Sequence, residues 1–175
     1  MDVKVKRSVF VTSDTHFGHD KICQFVKPDG TKVRPWSDLN RMHEEMIERW
    51  NKVVGKGDKV YHLGDVAISR RSLSILDRLN GRKVLIRGNH DVYELKDYSK
   101  YFKDVRGAFM LEGLVFTHVP VHAGSFLGRW RGNVHGHLHW RKLGNPRYFN
   151  ACVECHDFAP VSLDTILEEY ATRQF

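Results

Sequence analysis

A chain of 175 residues, 41% hydrophobic and 28% charged, is long enough to remove ~70% of its unfolded surface from water and too apolar to stay disordered. Its 28 basic against 21 acidic residues give a net charge of +7, which favours anionic partners such as phosphates or nucleic acid without choosing between them. Three cysteines, Cys23, Cys152 and Cys155, are an odd count that argues against a secreted disulfide framework.

The opening stretch MDVKVKRSVFVTSD carries basic residues before an apolar run of only Val9, Phe10 and Val11. It lacks a small-residue cleavage site, so no signal peptide is expected. No segment approaches the ~18 apolar residues that cross a bilayer, which predicts a cytoplasmic protein with no membrane partner. The run SVFVTSD reads as a buried strand ending at Asp14. After it, QFVKPDGTKVRPW holds Pro28, Asp29 and Gly30 between two extended pieces, the pattern of a hairpin that could overhang whatever site the first strand end carries.

Next comes the clearest helical signal, SDLNRMHEEMIERWNKVVG, with Leu39, Met42 or His43, Met46, Trp50 and Val53 on one stripe and Ser37 placed to cap it. The strand KVYHLGD ends at Asp65, and a second helix is expected over RRSLSILDRLNG, with Leu73, Leu76 and Leu79 inward and Gly81 stopping it. The strand KVLIRGNHD ends at Asn89 and His90. Beyond about residue 105 strands dominate: AFMLEGLVFTH reads as a hairpin turning at Gly113 and ending at His118, and NVHGHLH ends at His137 and His139. The last helix fits SLDTILEEYATR, after Pro160.

Two stretches invite metal chemistry directly. In GNVHGHLHW, His135, His137 and His139 alternate, and in an extended segment residues two apart share a face. CVECH, residues 152 to 156, matches both a haem-attachment pattern and half of a zinc site. The surrounding RYFNACVECHDF alternates like a strand, so buried strand cysteines fit it better.

Taken together, the strand ends spell DTH at 14 to 16, GD at 64 and 65, GNHD at 88 to 91, a histidine at 118 and GHLH at 136 to 139. In this order, and with the phrases SDTHFGH, VYHLGDVA and VHGHLH, the chain resembles the calcineurin-like metallophosphoesterases, in particular the small capless members of bacteria and their viruses. The resemblance implies a four-layer α/β/β/α sandwich of two packed mixed sheets with flanking helices, here one domain over residues 1–175. It implies that Asp14, His16 and His139 hold one metal, that Asn89, His118 and His137 hold a second, and that Asp65 bridges them. It gives His90 a place on the phosphate and the leaving group, and leaves His135 a structural part. Three residues past Asp65, where protein phosphatases of this superfamily carry an orienting aspartate, stands Ile68.

Elementary chemistry agrees. Aspartate, histidine and one amide oxygen, without thiolates, suit two divalent ions from among Mn, Fe, Zn, Co and Ni, of which manganese is the one expected. Two such ions ~3.5 to 4 Å apart can share a carboxylate and activate a bridging hydroxide for attack at phosphorus. The expected activity is hydrolysis of phosphate monoesters or diesters, nucleotide-like ones included. A non-catalytic protein-binding scaffold of the same fold and a nucleic-acid processing nuclease are the competing readings. Arg34, Arg70, Arg71, Arg87, Arg129 and Arg131 are open as phosphate contacts. His19 could lie near the first metal's loop, and His62 is expected to be packed or hydrogen-bonded.

Overall fold

A computed structural model of the chain describes residues 7–173. The basic residues 1–6 weighed above as part of a signal peptide lie outside that range. Strands β1 (Val9–Thr12), β2 (Lys59–His62), β3 (Arg82–Ile86) and β4 (Asp104–Arg106) run parallel, and β9 (Val161–Ser162) closes the far edge antiparallel in the order β4-β3-β2-β1-β9. The second sheet has the order β5-β6-β7-β8, from Phe109–Leu111, Leu114–Thr117, Gly132–His135 and Tyr148–Asn150. Its β6, β7 and β8 are parallel and β5 antiparallel. The molecule is the expected sandwich of two mixed sheets with flanking helices.

Alternation along the strands builds two cores at once. Phe10, Val60 and Leu85 point to one face of the first sheet, where they pack with Met42, Met46 and Trp50 of helix α1 (Leu39–Val53) and with Leu73 and Leu76. Val11, Tyr61, Val84 and Ile86 point the other way. They meet Leu114, Phe116 and Val134 of the second sheet and Ile166 and Tyr170 of helix α3 (Leu163–Thr172). Because successive side chains in a strand face opposite sides, the first sheet is apolar on both faces and buried by helix on one and sheet on the other. A short helix α2, Leu95–Tyr98, precedes β4.

Several local expectations are corrected. Asp38, not Ser37, caps α1: its side chain accepts the Arg41 N–H at 2.8 Å. Both residue types cap well, and Asp38 occupies the position immediately before the first helical residue. Val53 is 41% exposed, and Ile47 takes its place on the buried stripe. The leucine-rich segment is a 3-10 helix, Arg70–Arg78, that ends before Gly81. The final helix keeps its expected start, with Ser162 accepting the Thr165 N–H at 3.0 Å. The hairpin at Gly113 forms with Glu112 and Gly113 both at positive φ. β8 stops at Asn150, so Cys152 and Cys155 lie past the strand, around a 3-10 turn at Val153–Cys155. Among the described residues, no helix is long and apolar enough to cross a membrane.

Candidate metal centre

Parallel strands deliver the loops at their carboxyl ends to one place, and both sheets do so here. Asp14 and His16 follow β1, Asp65 follows β2, Asn89 follows β3, His118 follows β6, and His137 and His139 follow β7. The loops are stitched together: the Asp14 N–H donates to Gly64 O and the His16 N–H to Asp65 O, each at 3.0 Å. Asp91 ties the second loop to the third by accepting the N–H groups of Asp65 and Gly88, both at 2.8 Å, and of Val66 at 3.1 Å. Burial pushes the Asp91 carboxyl above the usual carboxylate range, against the pull of these three donors.

His137 and His139 do not arrive by strand alternation. β7 ends at His135, and both residues lie in the loop beyond at φ 70° and 52°. Asp14, His16 and Asp65 share this left-handed backbone, at φ 60°, 48° and 57°. For residues with a Cβ the region costs about 1–3 kcal/mol each and persists only where the surroundings enforce it. Its concentration in one set of loops marks a site.

The side chains form two groups. Asp14, His16 and His139 offer ligand atoms within 4.8 Å of one another, as do Asp65, His118 and His137. Asn89 Oδ1 lies 2.9 Å from both His118 Nε2 and His137 Nδ1 and so joins the second group. Asp65 Oδ2 stands between them, 3.5 Å from His16 Nε2 and 3.4 Å from His118 Nε2.

Among the buried polar atoms that lack hydrogen-bond partners are some that a cation would satisfy. Asp14 is fully buried, and its Oδ1, like both ring nitrogens of His16, has no hydrogen-bond partner among the described residues. That Oδ1 faces His16 Nε2 at 3.6 Å and His139 Nε2 at 4.0 Å. Unpaired polar atoms this deep are costly unless something binds them. Asp14 Oδ2, in contrast, is occupied by the His137 N–H at 2.8 Å and the Cys152 thiol at 3.2 Å. Burial opposes charge on Asp14, yet His16 and His118 outweigh it and hold the carboxyl below its usual range. Burial likewise opposes charge on Asp65, where His118 again prevails.

The imidazoles are aimed from behind. The His118 Nδ1–H donates to Leu63 O at 2.7 Å, which leaves Nε2 as the free ligand atom. The His139 Nδ1–H donates to Glu154 Oε1 at 3.0 Å with the same result. Glu154 is itself held by Arg34, whose Nε and Nη2 reach Oε1 at 2.9 and 2.7 Å. Arg34 also donates from Nη2 to Asp14 O at 2.6 Å and from Nη1 to Thr15 O at 2.8 Å.

A model of the calcineurin-like phosphoesterase family matches residues 7–169 of this chain. The chain belongs to that family. An uncharacterized protein of Methanocaldococcus jannaschii, MJ1445, is 34% identical over 93% of this chain and 90% of its own length. The Gene 66 protein of Mycobacterium phage D29 is 29% identical over 88% of this chain and 92% of its own. A crystal structure of a protein of unknown function from Aquifex aeolicus, AQ665, superposes with a TM-score of 0.73 at 24% identity, over 93% of this chain and 99% of that one. This last likeness speaks for the fold.

Within the calcineurin-like frame, the structure brings together all seven expected ligand positions and sets His90 beside them. The His90 ring is exposed and 5.4 Å from that of His16, while its N–H donates to Asp65 Oδ1 at 2.8 Å. His19 lies next to His16, with ring centroids 5.9 Å apart. His135 is fully buried in the core of the second sheet, and His62 is buried against Thr15 Oγ1 at 3.0 Å. Arg34 is not a phosphate contact, since it is buried and spent on Glu154 and two carbonyls. Arg87 is turned to the carbonyls of Asp91 and Tyr93, Arg70 to Asp97 and Arg131 to Glu112 O. Sequence reasoning missed Glu154. It sits inside CVECH, whose cysteines drew attention while the residue between them does the supporting. Cys155, half-buried, has its thiol pushed up to about 11 by burial.

Proposed function

We propose that this calcineurin-like phosphoesterase is a single-domain, dinuclear hydrolase of phosphate monoesters or diesters. Asp14, His16 and His139 would hold one divalent ion, and Asn89, His118 and His137 the other, with Asp65 shared. Oxygen and imidazole donors without thiolate admit Mn, Fe, Zn, Co or Ni, and manganese is the ion proposed. When bound, such ions supply Lewis-acid charge and lower the pKa of water they hold. The position of Asp65 Oδ2, between an imidazole of each group, is the observation that carries the reading.

The residues themselves divide the remaining work. The Asp65 carboxylate keeps its two oxygens distinct, Oδ1 on the His90 N–H and Oδ2 toward the imidazoles. That bond fixes the backbone of His90, whose exposed ring is free to donate to a phosphoryl oxygen or to pass a proton to a leaving alkoxide. Three free cysteines suit a reducing compartment such as the cytoplasm.

Turnover of bis(p-nitrophenyl) phosphate by purified protein, stripped by chelator and reloaded with each ion, tests the proposal. The expected result is activity that is lost with the ions, restored by two equivalents and absent in Asp65→Asn. Binding of ions without turnover of any ester would leave a scaffold in place of an enzyme.

A further inference from the structure

We propose that the pocket beside His139 takes a purine or pyrimidine base, so that the ester presented to the candidate metal centre belongs to a nucleotide. This deepens the phosphoesterase reading and rests on it. The pocket has a volume of about 280 Å³, and its walls are Phe25, Val33, Leu138, Trp140 and Arg141 together with the candidate ligands His137 and His139. It therefore opens directly onto a candidate ligand. With His137 and His139 among its walls, the pocket adjoins the position that a phosphorus held among the candidate ligands would take.

Their chemistry narrows the occupant. Phe25 is 46% exposed, and Trp140 is half-buried with the Arg141 guanidinium 5.1 Å from its ring centre. An exposed phenyl and a partly exposed indole in one pocket offer apolar surface that a flat ligand would remove from water. A simple sugar phosphate or short alkyl phosphate has no flat face to offer these rings. A base does, and it also has acceptor atoms at its edge for the guanidinium. Stacking on aromatic side chains tolerates any base, because every base has a π-face.

The fold holds the pocket's outer wall rigidly to the centre. Residues 25–33 form a hairpin with Val26 bridged to Lys32, closed by the Lys27 N–H on Thr31 O at 2.7 Å and the Val33 N–H on Phe25 O at 2.9 Å. The next residue is Arg34, whose bonds to Asp14 O and Thr15 O anchor the hairpin to the first ligand loop. Ring contacts continue from the centre to the wall, His16 to His19 at 5.9 Å and His19 to Phe25 at 5.5 Å. The hairpin that the sequence places over the site thus supplies one aromatic face, and the loop after His139 supplies the other.

Adenosine 5′-monophosphate and ribose 5-phosphate differ only in the base, so the test compares their binding to manganese-loaded protein by calorimetry. The wild type is expected to bind the nucleotide about tenfold or more tightly than the sugar phosphate. Phe25→Ala and Trp140→Ala should each shrink that ratio to within about threefold, and Phe25→Tyr should preserve it. Should Trp140→Ala fail to fold, Phe25→Ala decides alone. Equal binding by the wild type, or a ratio untouched by Phe25→Ala, overturns the proposal. Bis(p-nitrophenyl) phosphate turnover under the same conditions separates the two readings. Turnover without a base preference sinks the pocket alone, whereas base preference without turnover sinks the phosphoesterase and leaves a nucleotide site. A 5′-phosphorylated hexadeoxyadenylate binding more tightly than the mononucleotide would name a strand end as the source. Equal binding would name the free nucleotide, and both keep the base in the pocket.

Discussion

His90 presents its ring to solvent on the open side of the centre while its backbone is fixed by Asp65. His90→Asn should therefore keep both ions, since no proposed ligand is touched, and should lose turnover selectively. A nitrophenolate leaves without a proton and an alkoxide does not, so a general acid worth ~10²- to 10⁴-fold should show chiefly on alkyl esters. Equal losses on both ester types would assign the ring to electrostatic support of the phosphate instead. Glu154 works one bond further out. Glu154→Gln keeps an oxygen for Arg34 and weakens the hold on the His139 tautomer, so the ion of Asp14, His16 and His139 should bind ~10- to 100-fold more weakly. The ion at Asn89, His118 and His137 should be unaffected, which a two-site manganese titration would show. The seven candidate ligands could be named from the sequence because the ordered blocks DTH, GD, GNHD, a lone histidine and GHLH at strand ends resemble a family pattern. Glu154 could not, because its meaning lies in Arg34, 120 positions away along the chain. Nothing local to CVECH tells which buried cation a lone carboxylate will meet.

Strand ends and the loops after them are the elements that make the centre. Their close packing leaves little room at the glycines. A Cβ on Gly136 would lie 2.0 Å from Ser13 Oγ and 2.5 Å from Asp14 Oδ2, and one on Gly88 would lie 2.3 Å from Asp65 Oδ1. Gly132, at the start of β7 and away from the ligands, makes a useful contrast. Its Cβ would meet Arg147 O at 2.4 Å and the Tyr170 ring at 2.5 Å. Gly132→Ala is expected to cost about 1–3 kcal/mol in urea unfolding by overpacking β7 against α3, with both ions still bound. Gly88→Ala should displace the shared ligand Asp65, seen as metal stoichiometry below two. Element types were readable from apolar periodicity, and their ends much less so. The alternating histidines suggested a longer strand, yet β7 stops at His135, because the left-handed backbone at His137 cannot continue a ladder. Similarly, the alternation through RYFNACVECHDF breaks after Asn150, where the Cys152 N–H turns back to the Asn150 side chain at 2.9 Å.

At the scale of the molecule, the buried histidine of β2 links folding to pH. His62 is sealed from solvent, and burial holds its pKa at about 3, against 6.5 for an exposed ring. Below pH 6.5 the unfolded chain takes up a proton that the folded chain refuses, so the stability associated with neutral His62 is intact above 6.5 and drains away as pH falls toward 3. Between neutrality and pH 5 the loss should reach about 2 kcal/mol. Urea midpoints measured across that range should fall for the wild type and fall less for His62→Gln. A parallel decline in both proteins would place the sensitivity elsewhere.

The chain passes from the first sheet to the second between β4 and β5 and returns between β8 and β9, and the candidate ligands are dealt across both. Asp14, His16, Asp65 and Asn89 come from the first sheet, His118, His137 and His139 from the second. Each proposed ion would thus have ligands on both sides of the sandwich, and the pair would act as a clasp on the open end of two leaves. Chelation should then be felt as mechanical loosening as well as lost chemistry. Amide hydrogen exchange at the carboxyl ends of β6 and β7 should quicken when the ions are withdrawn, while the middle of α1, on the far face of the first sheet, keeps its protection. Uniform acceleration across both would mean that the clasp holds nothing the cores do not already hold.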